Sequence, residues 1–283
     1  MLHILQKFSN LVLELKNKPI DIIKLGGSII TNKNEYRSLR KKQLSHINTE
    51  IAHWDKQSII IHGAGSFGHI IANRYLIQLG YNSLYQLKGV IQIRRDMTEL
   101  TDAVIKSLVD LGVSALAFQT SAMVFEKNNE YSLCINPLRK ALELGFIPVL
   151  SGDVVFTENK GFKIISGDAV ANLIAKQMEI NRVIFISNVD GLYLKNKDTQ
   201  KDELANYLTT AELANIEISD FKIEDSEDVT GEMQGKLLEI KQLLKYVPEV
   251  IIVNGFYPER LASLRKGENY IGTRIVSKNS TQR

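Results

Sequence analysis

Short, uniformly apolar segments alternate with longer amphipathic segments along most of the chain. The apolar segments predict buried strands at residues 20–25, 58–61, 114–118, 147–150, 182–186, 250–253 and 273–276. The amphipathic segments predict helices from residue 66 and at residues 38–54, 86–110, 137–144, 167–177, 209–217, 231–246 and 257–265. Such an alternation is typical of a mainly parallel sheet that helices cover on both faces. The predicted fold class is therefore α/β, a three-layer α/β/α sandwich.

The alternation is interrupted near residues 153–165. Two apolar runs there flank Glu158-Asn159-Lys160-Gly161, which is typical of a hairpin turn. We expect this hairpin to divide one continuous sheet into two lobes, residues 19–152 and 153–283, of a single domain.

Residues 1–18 precede this domain. Their apolar positions recur at helical spacing and are Leu2, Leu5, Phe8, Val12 and Leu15. Glu14, Lys16 and Lys18 argue against a signal peptide, which requires an uncharged apolar region. We therefore predict a short amphipathic N-terminal extension.

Composition and charge narrow the class of protein. The chain has 35 Lys and Arg against 32 Asp and Glu, a formal net charge of +3. So small a surplus predicts no nucleic acid partner, and no segment reaches the roughly 18 consecutive apolar residues of a membrane helix. Cys134 is the single cysteine, which excludes an intrachain disulfide, and its apolar neighbours predict that it is packed. We expect a cytoplasmic protein without membrane insertion.

Glycine-rich turns follow three of the predicted strands. They are Lys24-Leu25-Gly26-Gly27-Ser28, His62-Gly63-Ala64-Gly65-Ser66-Phe67-Gly68-His69 and Ser151-Gly152-Asp153. Because open α/β sheets bind ligands beyond the carboxyl ends of their strands, these turns should line one edge. Glycine lets the backbone approach a phosphate group, and exposed N–H groups and helix N-termini then bind it. The pattern favours a phosphate site.

Two other phosphate-binding motifs fit the sequence poorly. Residues 63–68 form a G-x-G-x-x-G pattern, but a dinucleotide site needs an acidic residue about 20 positions on, at the end of a strand. Residues 83–88 contain no acid and no predicted strand. The chain also lacks the G-x-x-x-x-G-K-[ST] sequence of P-loop proteins.

Lys24 lies at the end of an apolar strand, where an unpaired ammonium group would be costly. It is either paired with a buried carboxylate or directed at a phosphate. Its position beside Gly26-Gly27-Ser28 favours the phosphate.

The glycine turns and several later blocks together resemble isopentenyl phosphate kinases, a group within the amino acid kinase superfamily. The later blocks are Ile165-Ser166-Gly167-Asp168, Asn188-Val189-Asp190-Gly191-Leu192-Tyr193 and Asp228-Val229-Thr230-Gly231-x-Met233-x-x-Lys236. The resemblance runs from about residue 20 to the C-terminus. It implies the amino acid kinase fold, with an acceptor lobe at residues 19–152 and a nucleotide lobe at residues 153–283.

The resemblance also implies a role for each matching residue. The nucleotide would be bound by Lys24, Gly26, Gly27, Ser28, Gly65, Asp190, Gly231 and Lys236. Charge at the transferred phosphoryl group would be neutralised by Lys24, Lys33 and Lys236, which Asp168 would orient. The acceptor would be bound by Ala64, His69 and Gly152, with His69 on its phosphate. ATP is the implied cofactor, with Mg²⁺ held by phosphates and water rather than by protein ligands.

The implied activity is phosphorylation of isopentenyl phosphate, or a related alkyl phosphate, to the diphosphate. A phosphonate kinase of the fosfomycin-resistance type shares the same blocks, and a non-catalytic nucleotide- or oxyanion-binding protein is an alternative of another class. Asn188 and Glu232 stand where the family usually has Asp and Gly, which puts nucleotide affinity in question. We expect a homodimer, since dimers are common in the superfamily.

Overall fold

The computed structural model describes residues 19–195, 199, 201–216 and 229–277, without the side chains of residues 229–234. The predicted N-terminal extension, residues 1–18, lies outside the described residues.

The strands follow the predicted apolar segments closely. In chain order they are β1 (Ile20–Leu25), β2 (Gln57–His62), β3 (Ala115–Ala117), β4 (Val124–Lys127), β5 (Glu130–Leu133), β6 (Ile147–Ser151), β7 (Asp153–Thr157), β8 (Gly161–Ile165), β9 (Arg182–Ser187), β10 (Tyr193–Lys195), β11 (Asp202–Leu204), β12 (Tyr207–Thr209), β13 (Glu249–Asn254) and β14 (Gly272–Val276). Eight of the described strands form the central sheet, in the order β12-β14-β13-β9-β1-β2-β6-β3. Neighbours are parallel throughout except β13 and β14, which confirms the predicted fold class.

The helices connect these strands. In chain order they are α1 (Gly27–Ile30), α2 (Lys41–Ala52), α3 (Gly65–Arg74), α4 (Leu84–Val109), α5 (Thr120–Met123), α6 (Asn136–Glu143), α7 (Gly167–Ala175), α8 (Thr210–Ala214), α9 (Val229–Leu243) and α10 (Pro258–Lys266). Within the described ranges, none of them has the length and apolarity to cross a bilayer.

Side chains alternate between two cores on opposite faces of the sheet. In β1, Ile22 belongs to the core beneath α6, α7 and α9, whereas Ile23 belongs to the core beneath α2, α3 and α4. Because successive side chains of a strand point to opposite faces, Lys24 shares the face of Ile22. The amphipathic helices therefore cover both faces, and the apolar strands are buried between them.

The two parts of the chain that the hairpin separates share one continuous sheet, as expected, but the hairpin itself, residues 153–165, lies outside that sheet. β7 and β8 belong to a separate four-stranded sheet, in the order β5-β4-β7-β8. The β4–β5 hairpin was not predicted, because its segments are short and partly polar. Its turn carries a recognisable signal, since Asn128 and Asn129 both have positive φ, of 52° and 62°, as type I′ hairpin turns require.

A buried carboxylate joins the strands at the edge opposite the glycine turns. Asp21, fully buried at the start of β1, accepts hydrogen bonds from Trp54 Nε1 at 2.9 Å and Asn181 Nδ2 at 2.7 Å. Arg182 Nε, at the start of β9, lies 3.0 Å from the same carboxylate. Asp21 thus ties β1 to β9 and to the segment that leads into β2.

Replacing Asp21 by alanine should destabilise the protein by about 3 kcal/mol, because buried Trp54 and partly buried Asn181 and Arg182 would lose their common acceptor. The measurement is the free energy of unfolding in urea. Asp55→Ala, at an exposed aspartate close to the same edge, serves as the control and should change stability by less than about 0.5 kcal/mol. Equal effects of the two substitutions would contradict this role of Asp21.

Candidate active site

The three glycine turns meet at one edge of the central sheet, as predicted. Each continues the hydrogen bonding of its strand onto a neighbouring strand: Gly26 N donates to Ile186 O at 2.8 Å, Gly63 N to Leu25 O at 2.9 Å, and Gly152 N to His62 O at 3.2 Å. The turns therefore lie side by side, and they line a cavity of about 570 Å³.

The glycines are required by the contact between the first two turns. A Cβ atom on Gly27 would lie 2.5 Å from Gly65 N, and one on Gly63 would lie 2.7 Å from Gly27 N. Gly65 also has a φ of +47°, in the left-handed region that favours glycine. Close approach to a ligand was the predicted reason for these glycines, whereas close approach of backbone to backbone already demands them.

Charged side chains form part of the cavity lining. Lys24 Nζ lies 2.7 Å from Asp168 Oδ1, which belongs to the first turn of α7. Burial alone would raise the pKa of Asp168, but the charges of Lys24 and Lys236 outweigh it and hold the pKa below its usual value. Lys24 is thus paired with a buried carboxylate and also faces the cavity, so the two interpretations offered for it are compatible.

Two more lysines reach the same cavity from distant parts of the chain. Lys236, on α9, donates to Ser187 Oγ at 3.1 Å at the carboxyl end of β9. Lys33 lies in the loop between α1 and α2 and also lines the cavity. Three ammonium groups around one cavity favour an anionic ligand of high charge.

The cavity lining also has an apolar part. It comes from α3, α4 and the β7–β8 hairpin, through Ala72, Ile93, Met97, Val154, Ile164 and Ile165. His69, exposed on α3, lines the cavity together with Ala64 at the start of that helix and Gly152 after β6. The cavity therefore combines a cationic part, a histidine and an apolar part.

Comparison with known proteins identifies the family of this chain. The sequence profile of the amino acid kinase family matches residues 20–254. The chain belongs to the amino acid kinase family. It is 33% identical to the isopentenyl phosphate kinase of Methanothermobacter thermautotrophicus, over 91% of this chain and 99% of that protein. Identity to the isopentenyl phosphate kinase of Thermoplasma acidophilum is 29%, over 90% of this chain and 99% of that protein.

Solved structures agree with the sequence similarity. The crystal structure of the T. acidophilum isopentenyl phosphate kinase product complex matches with a TM-score of 0.74 and 27% identity, over 90% of this chain and 99% of that chain. Carbamate kinase from Giardia lamblia bound to AMP-PNP shares the fold, with a TM-score of 0.68 at 13% identity. The predicted family is therefore confirmed.

Most of the residues predicted for the site of this kinase lie together around the cavity. Those that line it are Lys24, Gly27, Ser28, Lys33, Ala64, Gly65, His69, Gly152, Asp168 and Lys236. Gly26 is buried beneath them against Ile186 O. Gly231 belongs to α9, but its surroundings, like those of Glu232, lie outside the described residues.

Asp190 does not line the cavity. Its carboxylate lies 2.6 Å from Arg260 Nη1 and accepts a hydrogen bond from Asn254 Nδ2 at 2.8 Å. Burial would raise the pKa of Asp190, but these partners hold it below its usual value. Asp190 joins the loop after β9 to the end of β13, and its predicted contact with the nucleotide stays a prediction. Asn188 accepts a hydrogen bond from Ser28 Oγ at 3.2 Å, which links it to the first glycine turn.

Two residues differ from the sequence interpretation. Asp153, noticed only as part of a motif, is a buried cavity residue whose carboxylate accepts from Val154 N at 2.8 Å and Ser121 N at 3.2 Å, with Arg94 Nη1 at 3.8 Å. The sequence signal for Asp153 was an acidic residue directly after a strand end.

Cys134 is exposed, so the expectation that it is packed is wrong. It follows β5 at the margin of the smaller sheet.

His62 supports the second glycine turn from within the core. Its Nε2 lies 2.9 Å from Thr101 Oγ1 on α4, and its Nδ1 lies 3.1 Å from Gly63 O. Complete burial lowers the pKa of His62 to about 4, against a smaller opposing effect of the hydrogen bond to Gly63. The imidazole is therefore neutral at neutral pH and serves as a structural contact.

Replacing Gly27 by alanine should destabilise the kinase by about 2 kcal/mol, because the new methyl group would force the two glycine turns apart. Gly235→Ala is the matched control, since a Cβ there meets nothing within 4 Å. Within α9 that change should be neutral or stabilise by up to about 1 kcal/mol. Urea unfolding of both variants is the measurement, and an equal loss in both would refute the steric argument.

Acidification should destabilise the fold through His62. Unfolding returns the imidazole to its usual pKa of about 6.5, so between about pH 6.5 and pH 4 the unfolded chain binds a proton that the folded chain does not. Stability attributable to His62 is therefore present above pH 6.5 and lost as the pH falls toward about 4. When the pH is lowered from about 7 to about 5, the free energy of unfolding should fall by about 2 kcal/mol less in His62→Gln than in the wild type. The same pH dependence in both proteins would argue against neutral burial.

Proposed function

We propose that this protein is an ATP-dependent kinase that phosphorylates isopentenyl phosphate, or a related alkyl monophosphate, to the diphosphate. The observation that carries the proposal is the lining of the cavity, which combines three lysines, His69 and a set of apolar side chains. We infer that the lysines form a cationic end of the cavity and the apolar side chains an apolar end. A phosphate ester with a branched hydrocarbon chain has the same division into charged and apolar parts. The similarity to isopentenyl phosphate kinases over most of both chains supports the same substrate.

The cationic end suits the phosphates of ATP. Lys24 and Lys236 both act on the carboxylate of Asp168, which keeps two ammonium groups close together on neighbouring elements. Around them, backbone N–H groups and a hydroxyl suited to phosphate oxygens are offered by Gly27, Ser28 and Gly65. We assign nucleotide phosphate binding to this end, with Mg²⁺ bound chiefly by the phosphates and water and neutralising part of their charge.

Transfer requires two anions to approach each other. In the proposed reaction, an oxygen of the acceptor phosphate attacks the γ-phosphorus of ATP, a P–O bond to the acceptor forms, and the P–O bond to ADP breaks. Phosphoryl transfer depends on alignment and charge neutralisation more than on covalent catalysis. Lys24, Lys33 and Lys236 would supply that charge, and His69 would donate a hydrogen bond to the acceptor phosphate. A phosphate monoester is already an anion near neutral pH, so the reaction needs no strong general base.

The apolar end suits the hydrocarbon part of the acceptor. Ile93 and Met97 on α4 face this end together with Val154 and Ile164 of the β7–β8 hairpin. A small polar pocket lined by cations would have suited a phosphonate such as fosfomycin better, so the apolar wall favours the alkyl phosphate. Ile71, Tyr75, Ile91 and Ile93 are apolar residues at helical spacing after the second glycine turn and are therefore candidate acceptor contacts. Of these four, the cavity lining includes Ile93.

The arrangement of lobes, the assembly and the location remain proposals. The acceptor lobe would comprise residues 19–152 and the nucleotide lobe residues 153–283, with the β7–β8 hairpin contributing to the acceptor end. We propose a cytoplasmic homodimer because dimers are common in the superfamily. Sedimentation velocity at several protein concentrations tests the dimer.

Purified protein with ATP, Mg²⁺ and isopentenyl phosphate should form isopentenyl diphosphate and ADP. His69→Ala should lower kcat/KM for isopentenyl phosphate by about a hundredfold, because one charge-assisted contact to the acceptor would be lost. His46→Ala, at an exposed histidine on α2 outside the cavity lining, is the control and should retain wild-type turnover. Coupled detection of ADP and mass spectrometry of the product are the measurements.

The other outcomes of this assay separate the alternatives. Turnover of fosfomycin without turnover of isopentenyl phosphate would move the acceptor to a phosphonate and preserve the ATP end. Tight ATP binding without turnover of either compound would favour a non-catalytic binding protein and overturn the proposed function.

A further inference from the structure

One loop brings Lys33 to the cavity. The Lys33 loop, residues 32–39, runs between α1 and α2. It is closed on itself by a hydrogen bond from Asn32 N to Ser38 O, at 2.9 Å, and by the bridge between Thr31 and Leu39. Lys33 is exposed on this loop, so the contacts that hold the loop to the body of the protein contribute to its position relative to the cavity.

A buried carboxylate on α4 holds the loop. Asp96, 2% exposed, accepts a hydrogen bond from Tyr36 Oη at 2.6 Å, and its other oxygen lies 3.7 Å from Arg37 Nε. Gln92, one turn earlier on α4, donates to both Asp96 and Tyr36, at 2.8 Å and 3.1 Å. Partial burial and the neighbouring carboxylate raise the pKa of Tyr36, so its hydroxyl stays protonated and donates.

The backbone of the loop is shaped around this anchor. Arg37 has a φ of 57°, a left-handed conformation that is uncommon for a residue other than glycine. Surrounding contacts must compensate the cost of such a conformation. Its guanidinium group contacts Asp96 and is also paired with Glu99 on α4. The loop is therefore held against α4 by the side chains of Tyr36 and Arg37, three and four positions after Lys33.

The same helix forms the apolar wall of the cavity. Asp96 lies between Ile93 and Met97, both of which line the cavity, on one stretch of α4. The buried carboxylate thus connects the loop that carries Lys33 to the helix that faces the acceptor end.

We propose that Asp96 is a positioning residue that holds Lys33 in place for phosphoryl transfer, through Tyr36 and Arg37. This inference rests on the proposed function, in which Lys33 neutralises charge at the transferred group. Lys33 would act mainly on the transition state, so loosening its loop should lower kcat and kcat/KM together and leave KM nearly unchanged. If Asp96 had only a structural role, its replacement would lower stability without a specific loss of kcat.

The test is a double-mutant cycle between the anchor and the lysine, measured by turnover of ATP with isopentenyl phosphate. Asp96→Asn should lower kcat about tenfold, with KM for both substrates within about twofold of the wild type. Tyr36→Phe removes one hydroxyl from a side chain that is 40% exposed, so it tests the anchor with little risk to folding and should give a smaller loss, of about threefold. In a Lys33→Ala background, neither substitution should lower kcat further, because residues that act through one another are not additive.

Asp110→Asn is the matched control. It removes a carboxylate of the same kind from the exposed far end of the same helix, where Asp110 is paired with Lys106, and it should leave kcat unchanged. Thermal unfolding of every variant identifies any loss that comes from misfolding; if Asp96→Asn fails to fold, Tyr36→Phe decides the question alone.

Failure of this inference and failure of the proposed function give different results. If the wild type turns over isopentenyl phosphate but kcat is unchanged in Tyr36→Phe and Asp96→Asn, the positioning role is refuted alone. It is also refuted if each substitution lowers kcat by the same factor in the Lys33→Ala background as in the wild type. If the wild type turns over no phosphate acceptor, the proposed function fails, and this inference fails with it.

Discussion

Direct backbone contact between the glycine turns after β1 and β2 is the constraint on which the rest of the site depends. Gly27 and Gly65 approach so closely that neither has room for a side chain. This contact fixes the start of α1 against the start of α3. The Lys33 loop follows α1 along the chain and His69 belongs to α3, so this glycine contact sets the relative positions of the two elements from which these residues extend.

The alternation of side chains in β1 determines on which face of the sheet the charged residues lie. Lys24 lies on the same face as Ile22 and beside Phe185, whose ring centroid is 5.9 Å from Nζ. That face is covered by α7 and α9, which carry Asp168 and Lys236. The opposite face is covered by α3 and α4, which supply His69 and the apolar wall. The sheet thus separates the helices that carry Asp168 and Lys236 from those that carry His69, Ile93 and Met97, and the cavity lies where both sets reach its carboxyl edge.

The sequence was informative wherever the physical cause was local. Apolar strands, the glycine turns and the helix before Gly145 could be predicted because propensity, periodicity and turn chemistry act over a few residues. The partners of Asp190 and Asp96 could not, since Arg260 is 70 positions from the first and Tyr36 is 60 positions from the second. The four-stranded sheet was missed for a related reason: β4 and β5 are short, and their pairing with the hairpin of residues 153–165 is a tertiary contact. Resemblance to a family located most of the cavity residues, but it could not show that the carboxylate of Asp190 is paired with Arg260 and Asn254.

The exposure of Cys134 has a practical consequence. Because it is the single cysteine of the chain and is exposed, a thiol-reactive fluorophore would attach to the unmodified sequence at one position only. That position directly follows β5, in the sheet whose β7–β8 hairpin forms part of the apolar wall. Emission from such a dye would report on the surroundings of this smaller sheet as ligands bind, without the need to engineer a labelling site.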